Sequence, residues 1–197
     1  VRRRLFLSAE RLIAEHGFEL VSSRDITSDA SANIAAINYY YGSKLALLVD
    51  IFRARAAELN GERKALLKAA LAQQAPRIDD ILRALIEPAI LWHDPERQTA
   101  LRYLNRARGE GPPEMQAILQ NDVGHLARFV DAIESVCPAL PREEIVWKLH
   151  FSLGVLHHNS AADYRRLENL SGGACDPGDR ERLLERTLAF ISAGFLA

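Results

Sequence analysis

No stretch of this chain sustains the strict apolar–polar alternation of a half-buried strand, whereas apolar residues recur at three- and four-residue intervals almost throughout. That periodicity confines the fold to packed helices. Leu5, Ala9, Leu12 and Ile13 share one stripe, and Gly17 follows where glycine can end a helix. Ser22, with Asp25 three residues on, reads as an acidic capping box opening a short helix over about 24–30. Ser31 and Ala32 form a turn. Asn33 is the expected cap of a second short helix ending near Gly42, and Ser43 caps a long helix from Lys44 to about Ala72, weakened by Gly61. Prolines divide the remainder. Pro76 precedes a helix over 78–92, Asp94 and Pro95 start another that ends in a loop at 109–113, and the next runs toward Val136. Pro138 and Pro141 break the chain before a long helix to about Leu167, and Asp176 and Pro177 begin the last. The expectation is an all-α chain of nine helices, three in an N-terminal head and six beyond it.

Charge narrows the partners only through its distribution. The net charge over 197 residues is −1, but residues 1–68 carry eleven Lys and Arg against eight Asp and Glu, and the remainder fourteen against eighteen. The first part thus has the sign that phosphates attract. Cys137 and Cys175 lack metal-type spacing, and no apolar run reaches the ~18 residues of a membrane span. No signal-peptide pattern stands at the start, so a cytoplasmic protein with reduced thiols is expected. The chain opens at Val1, and Arg2, Arg3 and Arg4 belong to a longer basic arm if residues precede them. Gly-rich phosphate loops, Gly-x-Ser-x-Gly and His-Glu-x-x-His are absent, and His150 and His157 lack a third ligand. No catalytic residue, metal or cofactor is expected.

The segment from Ser22 to Lys44 holds most of the chemistry. Two short helices joined by a tight turn can place the second in the ~12 Å major groove of DNA. On that second helix Ile34 and Ile37 are expected to face inward, leaving Asn33, Ala35, Ala36, Asn38, Tyr39 and Tyr40 outside. Asn38 offers paired donor and acceptor groups to a base edge, alanines admit close approach and thymine methyls, and tyrosine hydroxyls reach phosphates. Ser22 and Ser23, with Arg24 beside them, present donors at a helix N-terminus, and Lys44 supplies a further positive charge. Spacing alone leaves another reading open, in which Ser22 is an ordinary cap, Lys44 a solvated lysine and the tyrosines core packing.

The run Asp25-Ile26-Thr27-Ser28-Asp29-Ala30-Ser31-Ala32-Asn33-Ile34-Ala35-Ala36-Ile37-Asn38-Tyr39-Tyr40-Tyr41-Gly42-Ser43-Lys44 resembles the DNA-binding signature of the TetR family, and Ala9, Leu12, Ile13 and Gly17-Phe18 resemble its first helix. The resemblance implies that Ser22, Ser23, Tyr39, Tyr40 and Lys44 bind backbone phosphates while Asn33, Ala35, Ala36 and Asn38 lie at the groove. Ser31 departs from the glycine usual in that turn and is expected to carry backbone strain. The resemblance further implies a dimer on palindromic operator DNA, with a DNA-binding domain over 1–43 and a ligand-sensing and dimerisation domain over 44–197.

In the second part, Gly154, Ala161, Ala162, Ala189, Ala193 and Gly194 permit close helix approach, with Leu149, Leu153, Leu188, Ile191 and Phe195 supplying burial, so the last two long helices are the expected dimer face. Pro88 interrupts the helix over 78–92. Around it Ile86, Ala89, Ile90, Tyr103, Ile118, Leu119, Trp147 and Phe151 are expected to line an apolar ligand site, with His93 and Arg106 holding a polar head. Segments at 82–90, 138–151 and 170–173 are similar to a TetR subgroup with fatty-acid-responsive members, which implies a fatty acid or acyl-CoA effector and a ligand-released repressor. The rival reading is a helical adaptor or a small-molecule carrier that does not bind DNA.

Overall fold

The computed structural model describes residues 1–157 and 161–196, and carries eleven helices among them: α1 (Arg2–His16), α2 (Ser23–Asp29), α3 (Ala36–Tyr41), α4 (Lys44–Leu71), α5 (Ile78–Leu91), α6 (Pro95–Glu110), α7 (Pro113–Asn121), α8 (Gly124–Val136), α9 (Arg142–His157), α10 (Ala161–Leu170) and α11 (Arg180–Leu196). The expected helix running to Val136 is divided at Asp122–Val123, and the one expected to run to about Leu167 is described as α9 and α10, with residues 158–160 between them outside the described residues. Gly109 and Glu110 are helical rather than loop, and α11 starts at Arg180, where Asp179 accepts from Arg182 N at 3.1 Å, instead of at Pro177. Gly61 does not interrupt α4. No helix among the described residues is long and apolar enough to cross a membrane.

The chain forms two compact units, each drawn from two stretches: residues 1–59 with 93–123, and residues 60–92 with 124–197. Neither unit ends at residue 43. In the first unit α1 packs on α6, α2 and α3. Leu5, Ala9 and Ile13 lie four apart, so they share one face and are fully buried with Ile26, Ile37, Leu47 and Ile51. Burying each of the larger ones contributes about 1.5–3 kcal/mol. Gly17 ends α1 at φ 90°, a backbone conformation that favours glycine, and a Cβ there would also displace the Glu110 carboxylate, 2.6 Å away.

Polar groups complete this unit. Arg55 donates to both carboxylate oxygens of Glu10, at 2.6 and 2.8 Å, and also to Glu58 at 3.0 Å and Glu96 at 2.8 Å. These hydrogen bonds, that to Glu10 foremost, hold the guanidinium well above its ordinary pKa. Tyr103 donates to Leu48 O at 2.7 Å, and Arg106 donates to Ala14 O and Glu15 O at 3.0 and 3.1 Å, capping the C-terminus of α1.

In the second unit α5 packs along α11, and α8 and α9 close the core around Ile81, Leu85, Ile86, Ile133, Leu184 and Ile191. Pro88 lies inside α5, and Arg63 Nε donates to Leu85 O at 2.8 Å in the turn it disturbs. Trp92 Nε1 donates to Glu62 at 2.6 Å, and Arg83 pairs with Glu185 at 2.6 Å.

Candidate nucleic-acid interface

The head is held by the capping chemistry its sequence suggests. Ser22 Oγ accepts from Asp25 N at 3.2 Å, while Ser22 N and Ser22 Oγ both donate to Asp25 Oδ2, at 2.7 and 2.6 Å. Those bonds pull the Asp25 carboxyl below its ordinary pKa, the Ser22 hydroxyl being the leading cause. They also spend the Ser22 hydroxyl proton, so in this state Ser22 has no free side-chain donor for a phosphate. Ser23, half-buried, and Arg24, exposed, make no such side-chain bond among the described residues. At the turn Ser31 has φ 46°, the only positive-φ residue other than glycine among the described residues. The strain expected from its sequence is therefore present.

The second short helix begins later than expected. Asn33 Oδ1 accepts from Ala35 N at 2.8 Å, forming a local turn, and α3 proper starts at Ala36. This reverses two assignments. Ala36, expected at the groove, is buried beside Ile37, whereas Ile34, expected in the core, is 55% exposed. The physical cause is phase: residues 33–35 follow turn geometry, so the inward face is set by Ala36 and Ile37 and not by an Ile34–Ile37 stripe. The outward surface is then Asn33, Ile34, Ala35, Asn38, Tyr39 and Tyr40. Tyr39, 82% exposed, meets Tyr40 edge to face with ring centroids 4.8 Å apart.

The third tyrosine has a different task, which the sequence did not signal. Tyr41 donates to Arg2 O at 3.1 Å, its ring lies under the Arg2 guanidinium at 5.3 Å, and Arg2 also approaches Asp50 at 3.6 Å. Arg2, Arg3 and Arg4 are exposed in the first turn of α1, so the basic triplet is helical, and Arg2 is held against Tyr41 of α3. Lys44 donates to Val21 O, and burial draws its ammonium below its ordinary pKa against the opposing charge of Asp25. It ties the chain before α2 to the start of α4, and its remaining N–H groups are what a phosphate can take.

The ten expected ligand residues are split between the units. Ile86 and Ile90 are buried and Ala89 half-buried in the second unit's α5. Tyr103, expected to line the apolar site, is buried in the first unit with its hydroxyl bonded to Leu48 O, and Arg106, expected to hold a polar head, already donates to Ala14 O and Glu15 O in that unit. Burial also raises the Tyr103 hydroxyl pKa. His93 is exposed, and Ile118 and Leu119 are half-buried on α7. Trp147 and Phe151, 52% and 62% exposed, stack at 5.8 Å on the outside of α9 and line no interior of their unit. The reason is again phase, because Ile145, Leu149, Ser152 and Leu156 take the inward face. Of the residues expected at a dimer face, Leu149, Leu188, Ile191 and Phe195 are buried within the unit, while Gly154, Ala189, Ala193 and Gly194 are exposed. The side chains of His157, Ala161 and Ala162 lie outside the described residues. No group of three potential metal ligands occurs among the described residues.

Residues 5–51 match the family model of the bacterial regulatory proteins of the tetR family, and residues 83–194 match the tetracyclin repressor-like C-terminal domain. No curated protein matches the chain. Among solved structures it is similar to a TetR family transcription regulator from Marinobacter aquaeolei VT8 (18% identity, TM-score 0.62, covering 98% of this chain and 94% of that one). It is similar also to a transcriptional regulator from Rhodococcus sp. RHA1 (16%, TM-score 0.64, 98% and 96%). A third is NalD of Pseudomonas aeruginosa, the secondary repressor of the MexAB-OprM multidrug efflux pump (18%, TM-score 0.59, 98% and 96%). At such identities the structures attest the fold, and the two family models, one over the head and one over most of the remainder, settle the kinship. Members of this family are generally not enzymes. The chain belongs to the TetR family of DNA-binding transcription regulators.

Proposed function

We propose that the protein is a ligand-released repressor that binds palindromic double-stranded operator DNA as a homodimer, with residues 1–43 reading DNA and residues 44–197 sensing ligand and dimerising. The observation that carries this reading is the outward row Asn33, Ile34, Ala35, Asn38, Tyr39 and Tyr40 on and before α3. It joins a base-reading amide to methyl-bearing and hydroxyl-bearing neighbours of the size a major groove admits. Ser23, Arg24, Tyr39, Tyr40 and Lys44 take phosphates, and Ser22 joins them if DNA draws its hydroxyl from Asp25.

The effector is a small apolar molecule, of the fatty acid or acyl-CoA class. α4 starts in the head and its C-terminal part belongs to the second unit, so it is one of the three places where the chain passes between the two, and the one that is a continuous helix. A ligand that prefers a conformation with mismatched head spacing lowers operator affinity, and operator lowers ligand affinity by the same factor. Repression is also the role of NalD, which shares the fold.

The test is fluorescence anisotropy on duplexes selected from a random library. Affinity is expected to fall steeply with salt. Tyr40→Ala weakens all sequences about equally, whereas Asn38→Ala alters base preference at one position in each half-site, a discrimination of about 1–3 kcal/mol. Salt-independent binding, or unchanged preference in Asn38→Ala, removes the reading.

A further inference from the structure

None of the ten expected ligand residues lines a groove of the second unit that runs along α4. That groove, about 400 Å3 and open to solvent, runs between α4 and α8, with Leu67, Leu71 and Ala132 as its apolar floor and Lys64, Lys68 and Arg128 on its walls. Lys64 and Lys68 lie one helical turn apart, a like-charge spacing that disfavours the helix by itself. Among the described residues no carboxylate pairs with any of these three cations. The acid in the wall, Asp131, is already neutralised by Arg142 at 2.8 Å. At the inner end Lys64, Leu67 and Arg128 also line a recess of about 10 Å3 against Phe129, room for about one water and no more. The groove is therefore greasy below, uncompensated and positive above, and open to solvent, so it can hold a chain without burying it fully.

We infer that the α4–α8 groove binds a single-chain amphiphile by its anionic head, with Lys64, Lys68 and Arg128 holding the head and Leu67, Leu71 and Ala132 the first part of the tail. Charge complementarity selects this occupant: an apolar molecule without a head leaves three cations unmatched, and a bare anion leaves the leucine floor wet. The site lies entirely within one unit and needs no partner copy. Its regulatory meaning rests on the ligand-release reading above, whereas its existence does not.

The test is calorimetric titration of the full chain, without DNA, with dodecyl phosphate below its micelle concentration. Dodecanol and inorganic phosphate serve as probes lacking the charge and the tail. One site per chain is expected, with affinity falling as salt rises. Lys68→Glu with Arg128→Glu is expected to weaken it by more than about tenfold, and the milder Lys64→Gln with Lys68→Gln by about threefold to tenfold. Thermal unfolding should remain near wild type, because these side chains are exposed. Dodecanol binding as tightly as dodecyl phosphate, or unchanged affinity in both variants, overturns the inference. The same titration repeated on the operator complex separates the two claims. Binding without release upholds the site and removes the induction model. Release lost together with binding in the charge variants supports both.

Discussion

Ser31 shows how a single backbone angle can be sequence-legible. At φ 46° it occupies the left-handed region that costs a non-glycine residue about 1–2 kcal/mol. Its neighbours nevertheless hold it there, with Ser31 N donating to Ser28 O at 3.1 Å and Ala32 N to Thr27 O at 2.8 Å. Ser31→Gly removes the strain while adding freedom to the unfolded chain, so a net gain of about 0.5–1 kcal/mol is expected in urea unfolding. A loss would mean that the hydroxyl contributes more than the strain costs. Ile34 and Ala36 mark the opposite case. Their exchange of faces turns on whether Asn33 opens a helix or closes a turn on Ala35 N, two options that one asparagine supports equally well.

At the scale of elements, the chief surprise is α6. The sequence places it beyond the head, yet it packs on α1 and sends Arg106 to cap that helix, while Glu96 at its start joins the buried Arg55–Glu10 pair. Nothing in local spacing signals this, because Glu10 and Arg55 lie 45 residues apart and periodicity reports faces, not partners. Removing one partner strands a buried charge. Arg55→Met is expected to destabilise the protein by about 3–5 kcal/mol, and Glu10→Leu with Arg55→Met to recover much of that loss. Denaturant titration of the wild type, both single variants and the double variant checks this, and a double variant as unstable as the sum of its singles would refute it. Capping was far more legible: Ser22 with Asp25, Ser43 and Asp94 all act where the sequence put them, since each bond spans only three residues.

For the whole molecule, the outward faces of α9 and α11 bear on assembly. Val146, Trp147 and Phe151 on α9 and Phe190 and Leu196 on α11 are all half or more exposed, alongside the small Gly154, Ala189, Ala193 and Gly194. Large apolar side chains left exposed on two neighbouring helices are what an interaction site supplies, and a second copy of the chain is the partner proposed above. Trp147→Glu with Phe151→Glu is expected to yield a folded monomer by sedimentation, with operator affinity reduced by at least about a hundredfold through loss of the second head. A persistent dimer would move the interface elsewhere. The larger residues first assigned to that interface, Leu149, Leu188, Ile191 and Phe195, instead form the unit's own core.

The linear order of residues was enough to establish the all-α class, the family signature at 25–44, the caps at Ser22, Ser43 and Asp94 and the strained turn, because each depends on groups close along the chain. Tertiary structure decided which side of each helix is wet, that Tyr41 is tied to Arg2 while Tyr39 and Tyr40 stay exposed, and that α6 belongs with the head. Those outcomes depend on what a helix meets across space, and an amphipathic stripe fixes only that it must meet something apolar.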